Sequence, residues 1–574
     1  MKSIISGCRH LSAAAGLLCL FAFSVASSAS DRPYGSPTDY SLADMSVAYQ
    51  AAGLTDEQAA AILLSRFTFG ARPGDREAVL ERGLPHWLAQ QLEANLPDHA
   101  LAARLEPYDA LGFSDAELTA TYPSFSAAAA HIRRFYPGVL PPRDEPVVDF
   151  SVISAKLGAF AQEHGMRRME DSLLPQVEGQ KLIFTLYSRN QLREVMVDFW
   201  ANHFYASTAN FGSRGWVLSF ERDVLRRHAL GHFETLLQAS AKHPAMLEYY
   251  GFDARPGSLA AGQSFKDQHV RELRHRPGGE AAIAAGEAVI AHIDDERDLI
   301  LKREFWSKTG PNEAMARSLL TLQTLGPDAG VSDEDIREAA RVLTGWTVFP
   351  RGADKRWFDV DLSRTEPLGF VRQGNFWFRA DHHDPRPKTV LGRTFDGEAG
   401  VGQGERLLGM LASEPATATH LATRLVRHFA GENAGDPLIA RVADAFRASG
   451  GDIEVVLTSL VTSTDFWRNA AADEMVKTPF RLVVSALRAS GAEVEDTAAL
   501  AALAAWVTRL GQPLYAYQDP SGYPRSSSYW LDGGAMVKRF QFTRALAEES
   551  IEGVSLPRGK PAALAFASPE FQLH

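Results

Sequence analysis

Apolar residues recur every three to four positions along most of the chain, which is the period of a helix with one buried face. The clearest example begins at Thr55, where Gln58 stands three positions later, as in a capping box. Leu63 and Phe67 then belong to an apolar stripe. The pattern predicts a helix that starts at the Thr55 cap and ends at Gly70.

Segments of the same kind follow one another along the chain, each opened by a capping residue and most of them closed by glycine. We therefore predict a mainly α fold of packed antiparallel helix pairs, for which an α/α toroid is one arrangement. Two helix openings, Gly231-His-Phe-Glu and Gly451-Asp-Ile-Glu, are alike and suggest a duplicated helical unit. The predicted helical segments cover residues 75–95, 178–204, 231–251, 308–326, 332–346, 414–431, 436–467, 477–491 and 532–549.

Two regions depart from the helical period. Residues 252–306 are rich in Gly, Ala and His, and we interpret them as one long insertion that could cover a cleft. Residues 347–395 alternate aromatic and polar positions in short runs, which predicts a small β-hairpin region among the helices.

The first residues have the features of an export signal. Lys2 and Arg9 precede an apolar run that is shorter than the roughly 18–20 residues of a spanning helix, and small residues follow it. We predict a signal peptide over residues 1–29 that is cleaved, so that no stable membrane anchor remains. The protein would then be secreted, either to the periplasm or to the exterior. The predicted domain order continues with a flexible lead-in (30–54), the helical domain (55–549) and a C-terminal tail (550–574).

Composition narrows the chemistry that the mature chain can perform. Both cysteines, Cys8 and Cys19, lie within the predicted signal, which excludes thiol catalysis, disulfides and cysteine-bound zinc in the mature protein. The net charge of −11 disfavours a nucleic-acid partner, because such binding depends on clustered Lys and Arg. No Gly-x-Ser-x-Gly, His-Glu-x-x-His or phosphate-loop motif is present, so the sequence identifies no cofactor.

The densest polar cluster lies at residues 381–388, with the sequence Asp-His-His-Asp-Pro-Arg-Pro-Lys. Imidazole and carboxylate groups can relay protons or bind a divalent metal, and the two prolines stiffen the loop that presents them. The alternative is a solvated loop in which Asp384 starts a turn. We select His383, Asp384 and Lys388 from this loop as candidate site residues.

A second candidate is the polar start of the helix predicted over residues 311–325. Asn312 and Glu313 stand at its amino end, and Arg317 follows four residues after Glu313. Either the polar side faces water, with Glu313 and Arg317 forming an exposed ion pair, or it faces a pocket.

The third candidate is the aromatic segment Asp-Phe-Trp-Ala-Asn-His-Phe at residues 198–204. His203 and Trp200 lie there near the end of a predicted helix. Aromatic rings beside polar groups suit a wall on which sugar rings stack, and the alternative is core packing around a buried histidine.

Five stretches together resemble a bacterial family catalogued as domain of unknown function 1800. The resemblance implies a secreted protein whose relatives often accompany sulfatase-like proteins, and it implies no reaction. The sequence departs from the family at Ser318, Thr321 and Gln323, where relatives usually carry Glu and His, so a site that depends on those positions would be impaired. The matching stretches are 198–204, 226–250, 310–326 with 335–346, 382–392 and 511–524.

Three hypotheses for function follow. The first is a hydrolase of a carbohydrate or cell-envelope polymer, in which Glu313 and Asp384 form the carboxyl pair. Such a pair stands about 5–5.5 Å apart for retention or about 6.5–9.5 Å apart for inversion. His203, Arg317 and His383 would support the pair, and substrate contacts would come from Asn312, Trp200, Lys388 and Trp346.

The second hypothesis is a non-catalytic envelope protein that binds a glycan or a sulfatase-like partner. The third is a metal-dependent enzyme that uses His203, Glu313, His383 and Asp384 as ligands.

Overall fold

The computed structural model describes most of the chain after residue 39. The predicted signal peptide lies outside the described residues, as do parts of the predicted lead-in, insertion, hairpin region and C-terminal tail. The described residues are 40–123, 128–129, 132–133, 136, 138–140, 150–251, 265–301, 311–349, 362–396, 400–557 and 563–574.

The described part is mainly α, as predicted, and its helices begin earlier than expected. Thr55 caps the Asp56–Arg66 helix through a capping box with Gln58. A helix also forms over Asp44–Ala51 and buries Met45 and Tyr49, so the prediction of a flexible lead-in is wrong for this segment. The helices of this part are Asp44–Ala51, Asp56–Arg66, Asp75–Arg82, Leu84–Glu93, His99–Leu105 and Asp115–Thr121.

The two similar helix openings, at Gly231 and Gly451, lie side by side in the fold. The Phe233 N–H donates to the Gly451 carbonyl (2.9 Å), and the Ile453 N–H donates to the Gly231 carbonyl (3.3 Å). The two openings therefore pair with each other, antiparallel, through an isolated bridge. The central helices are Phe150–Glu163, Leu174–Tyr187, Gln191–His203, Val217–Ser219, Arg226–His228, Phe233–Lys242 and Pro244–Tyr249, with π-helical turns at Met169–Leu173 and Phe220–Leu225.

The predicted insertion is helical where it is described. Helices Phe265–Arg274 and Gly279–Leu301 pack on the short turns around Leu362–Arg364 and Glu366–Leu368. This segment therefore contains helices, although its composition did not predict them. The Glu313–Ser318 helix continues as a π-helical turn over Leu319–Thr324, and Asp333–Val342 follows.

The predicted hairpin region forms two small antiparallel sheets. In the first sheet, the central strand Phe376–Phe378 pairs with Trp346–Val348 on one side and Val371–Gln373 on the other. The second sheet consists of Lys388–Val390 and Arg393–Phe395.

The remaining helices bring the end of the chain back into the core. Strand Val554–Ser555 pairs with Glu493–Val494, so the predicted tail is part of the folded body. One continuous apolar core runs from Met45 to Phe566. None of the described helices is both long and apolar enough to cross a membrane. The helices are Val401–Ser413, Pro415–Phe429, Asp436–Ser449, Ile453–Val461, Thr464–Ala472, Pro479–Ser490, Thr497–Arg509, Gly533–Ala547, Ala563–Ala567 and Pro569–Gln572.

Candidate functional site

Two of the predicted polar segments meet at one turn, residues 344–346, which we call the hub turn. On one side, the Asp384 N–H donates to Oγ1 of Thr344 over 2.8 Å. On the other side, Asn312 lines a small cleft together with the hub turn. Tertiary contacts therefore bring the amino end of the Glu313–Ser318 helix and the 381–388 loop to the same place.

Asp384 lies beneath the surface and is engaged by two guanidinium groups. Its side chain is 0% exposed, and its carboxylate accepts hydrogen bonds from Arg341 Nε (2.9 Å) and from Arg386 Nη2 (2.5 Å). Burial alone would raise the pKa of Asp384, but these hydrogen bonds hold it below its ordinary value. The group is therefore held as a carboxylate, which suits a structural anchor better than a proton donor.

His383 and Lys388 are also buried and bonded to the surrounding chain. The Nδ1 atom of His383 lies 2.8 Å from the Thr344 carbonyl, and burial lowers the pKa of His383 to about 4. The Lys388 ammonium donates to Oε1 of Gln403 (2.7 Å) and to the Asp384 carbonyl. Burial lowers the pKa of Lys388 to about 8. His383 therefore holds the loop against the hub turn, and Lys388 ties the loop to the Val401–Ser413 helix.

Asn312 is the cap of the Glu313–Ser318 helix. Its Oδ1 accepts a hydrogen bond from the Ala314 N–H (3.1 Å), and its amide donates to the Tyr250 carbonyl. Glu313 is half-buried and has no hydrogen bond or ion pair among the described residues. The expected alternative pair with Arg317 does not form.

Arg317 instead pairs with Asp333 over 3.2 Å, on an exposed surface. The cleft beside Asn312 has room for little more than a water-sized group, and neither Glu313 nor Asp384 lines it. The carboxyl pair of the hydrolase hypothesis is therefore not brought together in this cleft.

The metal hypothesis lacks a suitable donor set in the described part of the chain. No group of three or more His, Cys, Asp or Glu side chains lies there in an arrangement able to hold a metal ion. The four proposed ligands, His203, Glu313, His383 and Asp384, are consequently not gathered into one site.

His203 and Trp200 belong to the core and form no sugar-stacking wall. His203 Nε2 lies 3.0 Å from the Gln323 carbonyl, and Trp200 Nε1 donates to the Ala229 carbonyl over 2.8 Å. Burial, followed by the charge of Arg424, holds the pKa of His203 well below its ordinary value. Of the two alternatives for this segment, the structure supports core packing.

Trp346 is buried as well, although it borders the cleft. Its ring covers Gly404 so closely that a Cβ there would lie 2.3 Å from the indole, and it meets the edge of Phe376 at 5.0 Å. Its Nε1 has no hydrogen-bond partner among the described residues. Trp346 is thus the one predicted substrate-contacting ring that a small group in the cleft could touch.

Two positions where the chain departs from the family pattern form a buried hydrogen-bonded chain. The Tyr250 hydroxyl donates to Oγ of Ser318 (2.6 Å), and the Gln323 amide donates to the same oxygen (3.2 Å). Thr321, by contrast, bonds its own helix through the Arg317 carbonyl (2.8 Å). Ser318 and Gln323 therefore have structural partners in this chain.

Asn202 of the aromatic segment and the following Tyr205 are hydrogen-bonded to a loop near the other end of the chain. The Asn202 Oδ1 accepts from the Tyr523 N–H (2.7 Å), and the Asn202 amide donates to the Tyr523 carbonyl (3.0 Å). The Tyr205 hydroxyl accepts from the Tyr517 N–H (2.7 Å). A Cβ at Gly522 would lie 2.3 Å from the Asn202 carbonyl, so the loop packs directly on the helix end.

The loop begins at a strained residue that is fixed from both sides. Tyr515 has a left-handed backbone (φ +57°), and its carbonyl accepts hydrogen bonds from the Thr208 N–H (2.7 Å) and from the Ser207 hydroxyl (3.2 Å). Its buried hydroxyl donates to the carboxylate of Glu221, which also pairs with Arg226 (3.0 Å). The loop after Tyr515 is therefore presented rigidly.

Several tyrosine rings remain accessible on this anchored loop and on the helix end beside it. Tyr529 is 50% exposed, Tyr517 and Tyr249 are half-buried, and the Tyr249 hydroxyl donates to the Gln518 carbonyl (3.1 Å). The ring of Tyr523 packs on that of Tyr517 with the centroids 4.4 Å apart and the planes tilted by 34°. We call the accessible set, Tyr249, Tyr517 and Tyr529 with the exposed carboxylate of Asp519, the tyrosine face.

The family model described as "Protein of unknown function (DUF1800)" matches residues 62–573. The chain belongs to the DUF1800 family. No curated protein and no solved structure matches it.

For this DUF1800 protein, the match covers nearly the whole folded chain. It assigns no reaction to the protein. It includes the aromatic segment at 198–204, the hub turn and the loop at 515–530 in one family unit. Within this unit, the aromatic segment is hydrogen-bonded to the loop at 515–530, and the hub turn is hydrogen-bonded to the 381–388 loop.

The tyrosine face of this DUF1800 chain is not among the sites that the sequence predicts. The signal was present in Tyr-Ala-Tyr-Gln-Asp-Pro-Ser-Gly-Tyr-Pro at 515–524, where tyrosines alternate with turn-forming residues. Such a segment predicts a loop, but the exposure of each ring depends on how the helix end at Asn202 holds it.

Proposed function

We propose that this protein binds a glycan of the cell envelope, with sugar rings stacking on the tyrosine face. The observation that carries the proposal is the half-exposed ring of Tyr529 next to Tyr517, on a loop that hydrogen bonds to Asn202 and Tyr205 hold in place. Aromatic rings offer a large apolar contact area with little loss of side-chain entropy. The tyrosine hydroxyls and the Asp519 carboxylate supply hydrogen-bonding groups for sugar hydroxyls.

Rigid presentation supports binding by the tyrosine face. A ring that is fixed before the ligand arrives loses little further freedom on binding, which favours affinity. The hydroxyl of Tyr205 and the side chain of Asn202 fix the loop from below, while Tyr523 and Trp530 fill the space behind the accessible rings. The face is thus prepared for a ligand without further ordering.

Binding is favoured over hydrolysis because the expected acid and base are not available together. Glycoside hydrolysis needs two carboxyl groups placed on either side of the bond, and one of them must exchange a proton. Asp384 is fully buried and bonded to two guanidinium groups. The hydrolase hypothesis therefore stays a prediction without a geometric basis at the hub turn.

The envelope is proposed as the place of action on the basis of the first residues. Lys2, Arg9 and the apolar run that follows them have the composition of an export signal. Polymers outside the cytoplasmic membrane are then the glycans that the tyrosine face would meet. A sulfatase-like partner, which the resemblance suggested, stays a prediction.

Affinity electrophoresis in gels that contain envelope polysaccharides, with sedimentation against insoluble peptidoglycan, tests the proposal. We expect Tyr529→Ala to weaken binding about tenfold, because one stacking ring is lost, and Tyr529→Phe to bind nearly as the wild type does. Tyr136→Ala, which changes an exposed ring outside the tyrosine face, is the matched control. Equal retention of wild type and Tyr529→Ala on every polymer would refute the proposal.

A further inference from the structure

Basic side chains from separate parts of the chain gather around His428. Arg424 lies one turn before His428 on the Pro415–Phe429 helix, so both side chains share one face. Arg525 Nη1 lies 2.8 Å from His428 Nδ1. The charges of four arginines act on this imidazole. We call the following set the basic cluster: Arg66, Arg424, His428, Arg481, Arg525 and His574.

The cluster holds polar nitrogens without a hydrogen-bond partner among the described residues. They are buried atoms of five side chains, and three belong to guanidinium groups. Because His428 Nδ1 accepts from Arg525, its Nε2 carries the hydrogen and is an unpaired donor. Buried donors are almost always paired in proteins, so several unpaired donors around one imidazole indicate a missing acceptor. The atoms are Arg66 Nη1, Arg424 Nε, Arg525 Nε, His428 Nε2 and His574 Nδ1.

The arginines also lack matching negative charge. Among the described residues, Arg424 has neither a hydrogen bond nor an ion pair. The negative charges that act on Arg66 are those of Asp473 and Glu474. The negative charge that acts on Arg481 and Arg525 is that of Asp198. Asp198, however, already forms an ion pair with Lys181 over 2.8 Å. Burial lowers the pKa of Arg66 and Arg424 to about 10, and that of Arg481 and Arg525 to about 9.

The geometry combines two arginines fixed in the interior with three basic side chains near the surface. Arg66 and Arg481 are 3% and 7% exposed and are held by backbone carbonyls, with Arg66 Nη2 2.6 Å from the Asp473 carbonyl and Arg481 Nη2 2.7 Å from that of Thr68. Arg424, His428 and Arg525 keep part of their surface exposed while their unpaired nitrogens are buried, so the cluster lies just beneath the protein surface. The guanidinium of Arg525 is also held against the ring of Phe199.

We propose that the basic cluster is an anion-binding site that takes a tetrahedral oxyanion, either a free phosphate or sulfate ion or a phosphate or sulfate ester. Donors that come from several directions suit the oxygens of a tetrahedral group better than the two oxygens of a planar carboxylate. The anion supplies both the missing acceptors and the missing charge. This site does not depend on the tyrosine face, although Arg525 follows Tyr523 on the same loop.

Thermal unfolding and calorimetry of the full chain test the anion site. We expect sodium phosphate or sodium sulfate to raise Tm at constant ionic strength, whereas sodium chloride and sodium acetate should not. Glucose 6-phosphate and glucose 6-sulfate then distinguish an ester ligand from the free ions, according to which binds more tightly. No stabilisation by phosphate or sulfate beyond that of chloride, in any of these forms, would overturn the proposal.

Arg424→Met gives the sharpest variant. It keeps the apolar stem and removes an unpaired buried charge, so we expect a higher Tm than wild type without anion and a Kd for phosphate or sulfate at least about tenfold weaker. Arg427→Met, three residues along the same helix and exposed, is the matched control and should behave as wild type.

His428→Gln checks the same site through a side chain that keeps an N–H donor but lacks the imidazole geometry. Weaker phosphate binding in both Arg424→Met and His428→Gln supports the site. Wild-type affinity in a folded Arg424→Met protein would contradict it.

Discussion

Asp384 ties together a helix, a loop and the hub turn. It bonds Arg341 from the Asp333–Val342 helix and Arg386 from its own loop, while its backbone N–H donates to Thr344. Removing one member of a buried ion pair leaves the other charge without compensation. The densest polar cluster in the sequence, at residues 381–388, is thus explained by side chains that stabilise their own loop.

Asp384→Asn should therefore lower the free energy of unfolding by about 3–5 kcal/mol, because two guanidinium groups lose their shared counter-charge. Denaturant unfolding followed by circular dichroism measures the change. Asp333→Asn removes the exposed partner of Arg317 and should cost less than about 1 kcal/mol. Equal losses in the two variants would show that the Asp384 pairs are not the main support of the loop.

His383 makes stability depend on pH in a defined direction. Its pKa in the folded protein is about 4, against an ordinary value of 6.5, so the unfolded chain binds the proton more readily. The contribution of neutral His383 to the free energy of unfolding is complete above about pH 6.5. It is lost as the pH falls towards about 4. At about 1.4 kcal/mol for each pKa unit, the loss is of the order of 3 kcal/mol.

His383→Gln should be less stable than wild type at pH 7.5, and the difference should shrink as the pH is lowered to 4. Melting temperatures measured at intervals across this range give the comparison. A gap between the two proteins that stays constant with pH would mean that His383 does not titrate as its burial implies.

At the scale of elements, the hub turn depends on a glycine for two separate reasons. Gly345 has φ +84°, and a Cβ there would lie 2.6 Å from the Arg379 carbonyl and 3.1 Å from Cβ of His383. The turn has to be this close because the Arg379 N–H donates to the Gly345 carbonyl over 2.7 Å. Any side chain at residue 345 would push the hub turn away from Arg379 and from His383.

Gly345→Ala should consequently destabilise the protein by more than backbone strain alone. Gly374→Ala, at φ +60° with nothing within 4 Å of the new Cβ, isolates the strain and should cost about 1–2 kcal/mol. We expect Gly345→Ala to cost at least twice as much in urea unfolding. Similar costs for both variants would indicate that the close approach relaxes easily.

The two similar helix openings show what a short repeat in sequence can indicate at this scale. Gly231 and Gly451 precede helices that start with the same pattern, and the two openings exchange backbone hydrogen bonds. Sequence comparison suggested a duplicated unit but did not indicate that its copies pair. Pairing depends on the path of more than two hundred intervening residues, which local periodicity does not record.

At the scale of the whole molecule, the last residues of the chain fasten distant helices to one another. The His574 N–H donates to the Met475 carbonyl (2.9 Å), and the Lys477 N–H donates to the Gln572 carbonyl (2.9 Å). The Gln572 side chain also accepts from the buried Arg539 (3.1 Å). The segment predicted as a tail is therefore a structural part of the molecule.

Deleting residues 569–574 should lower the free energy of unfolding by about 4 kcal/mol, from several lost hydrogen bonds at roughly 1 kcal/mol each, and leave Arg539 without this partner. Differential scanning calorimetry gives the shift in Tm. Glu570→Ala, which changes an exposed side chain of the same helix, should have no measurable effect. An unchanged Tm after the deletion would show that these bonds are dispensable.

The sequence by itself determined the helices, their caps and the family. Periodicity and capping depend on residues a few positions apart, which is why the Thr55 capping box and most helical segments could be predicted from local patterns. The same locality explains the errors. Composition alone marked 30–54 as a flexible lead-in, although Asp44–Ala51 forms a helix with buried residues, and it did not predict the helices Phe265–Arg274 and Gly279–Leu301 inside the predicted insertion.

Only the tertiary structure decided which polar groups are accessible. The chemistry of Asp384, His383 and His203 is the same in any sequence context, but burial and the partners brought by other segments make them structural here. The tyrosine face and the basic cluster arise in the same way, because Arg66, His428 and Arg525 come together only when the chain is folded. The exposure of a side chain and the balance of charge around it depend on neighbours that are far apart along the chain. The linear order of residues therefore does not reveal them.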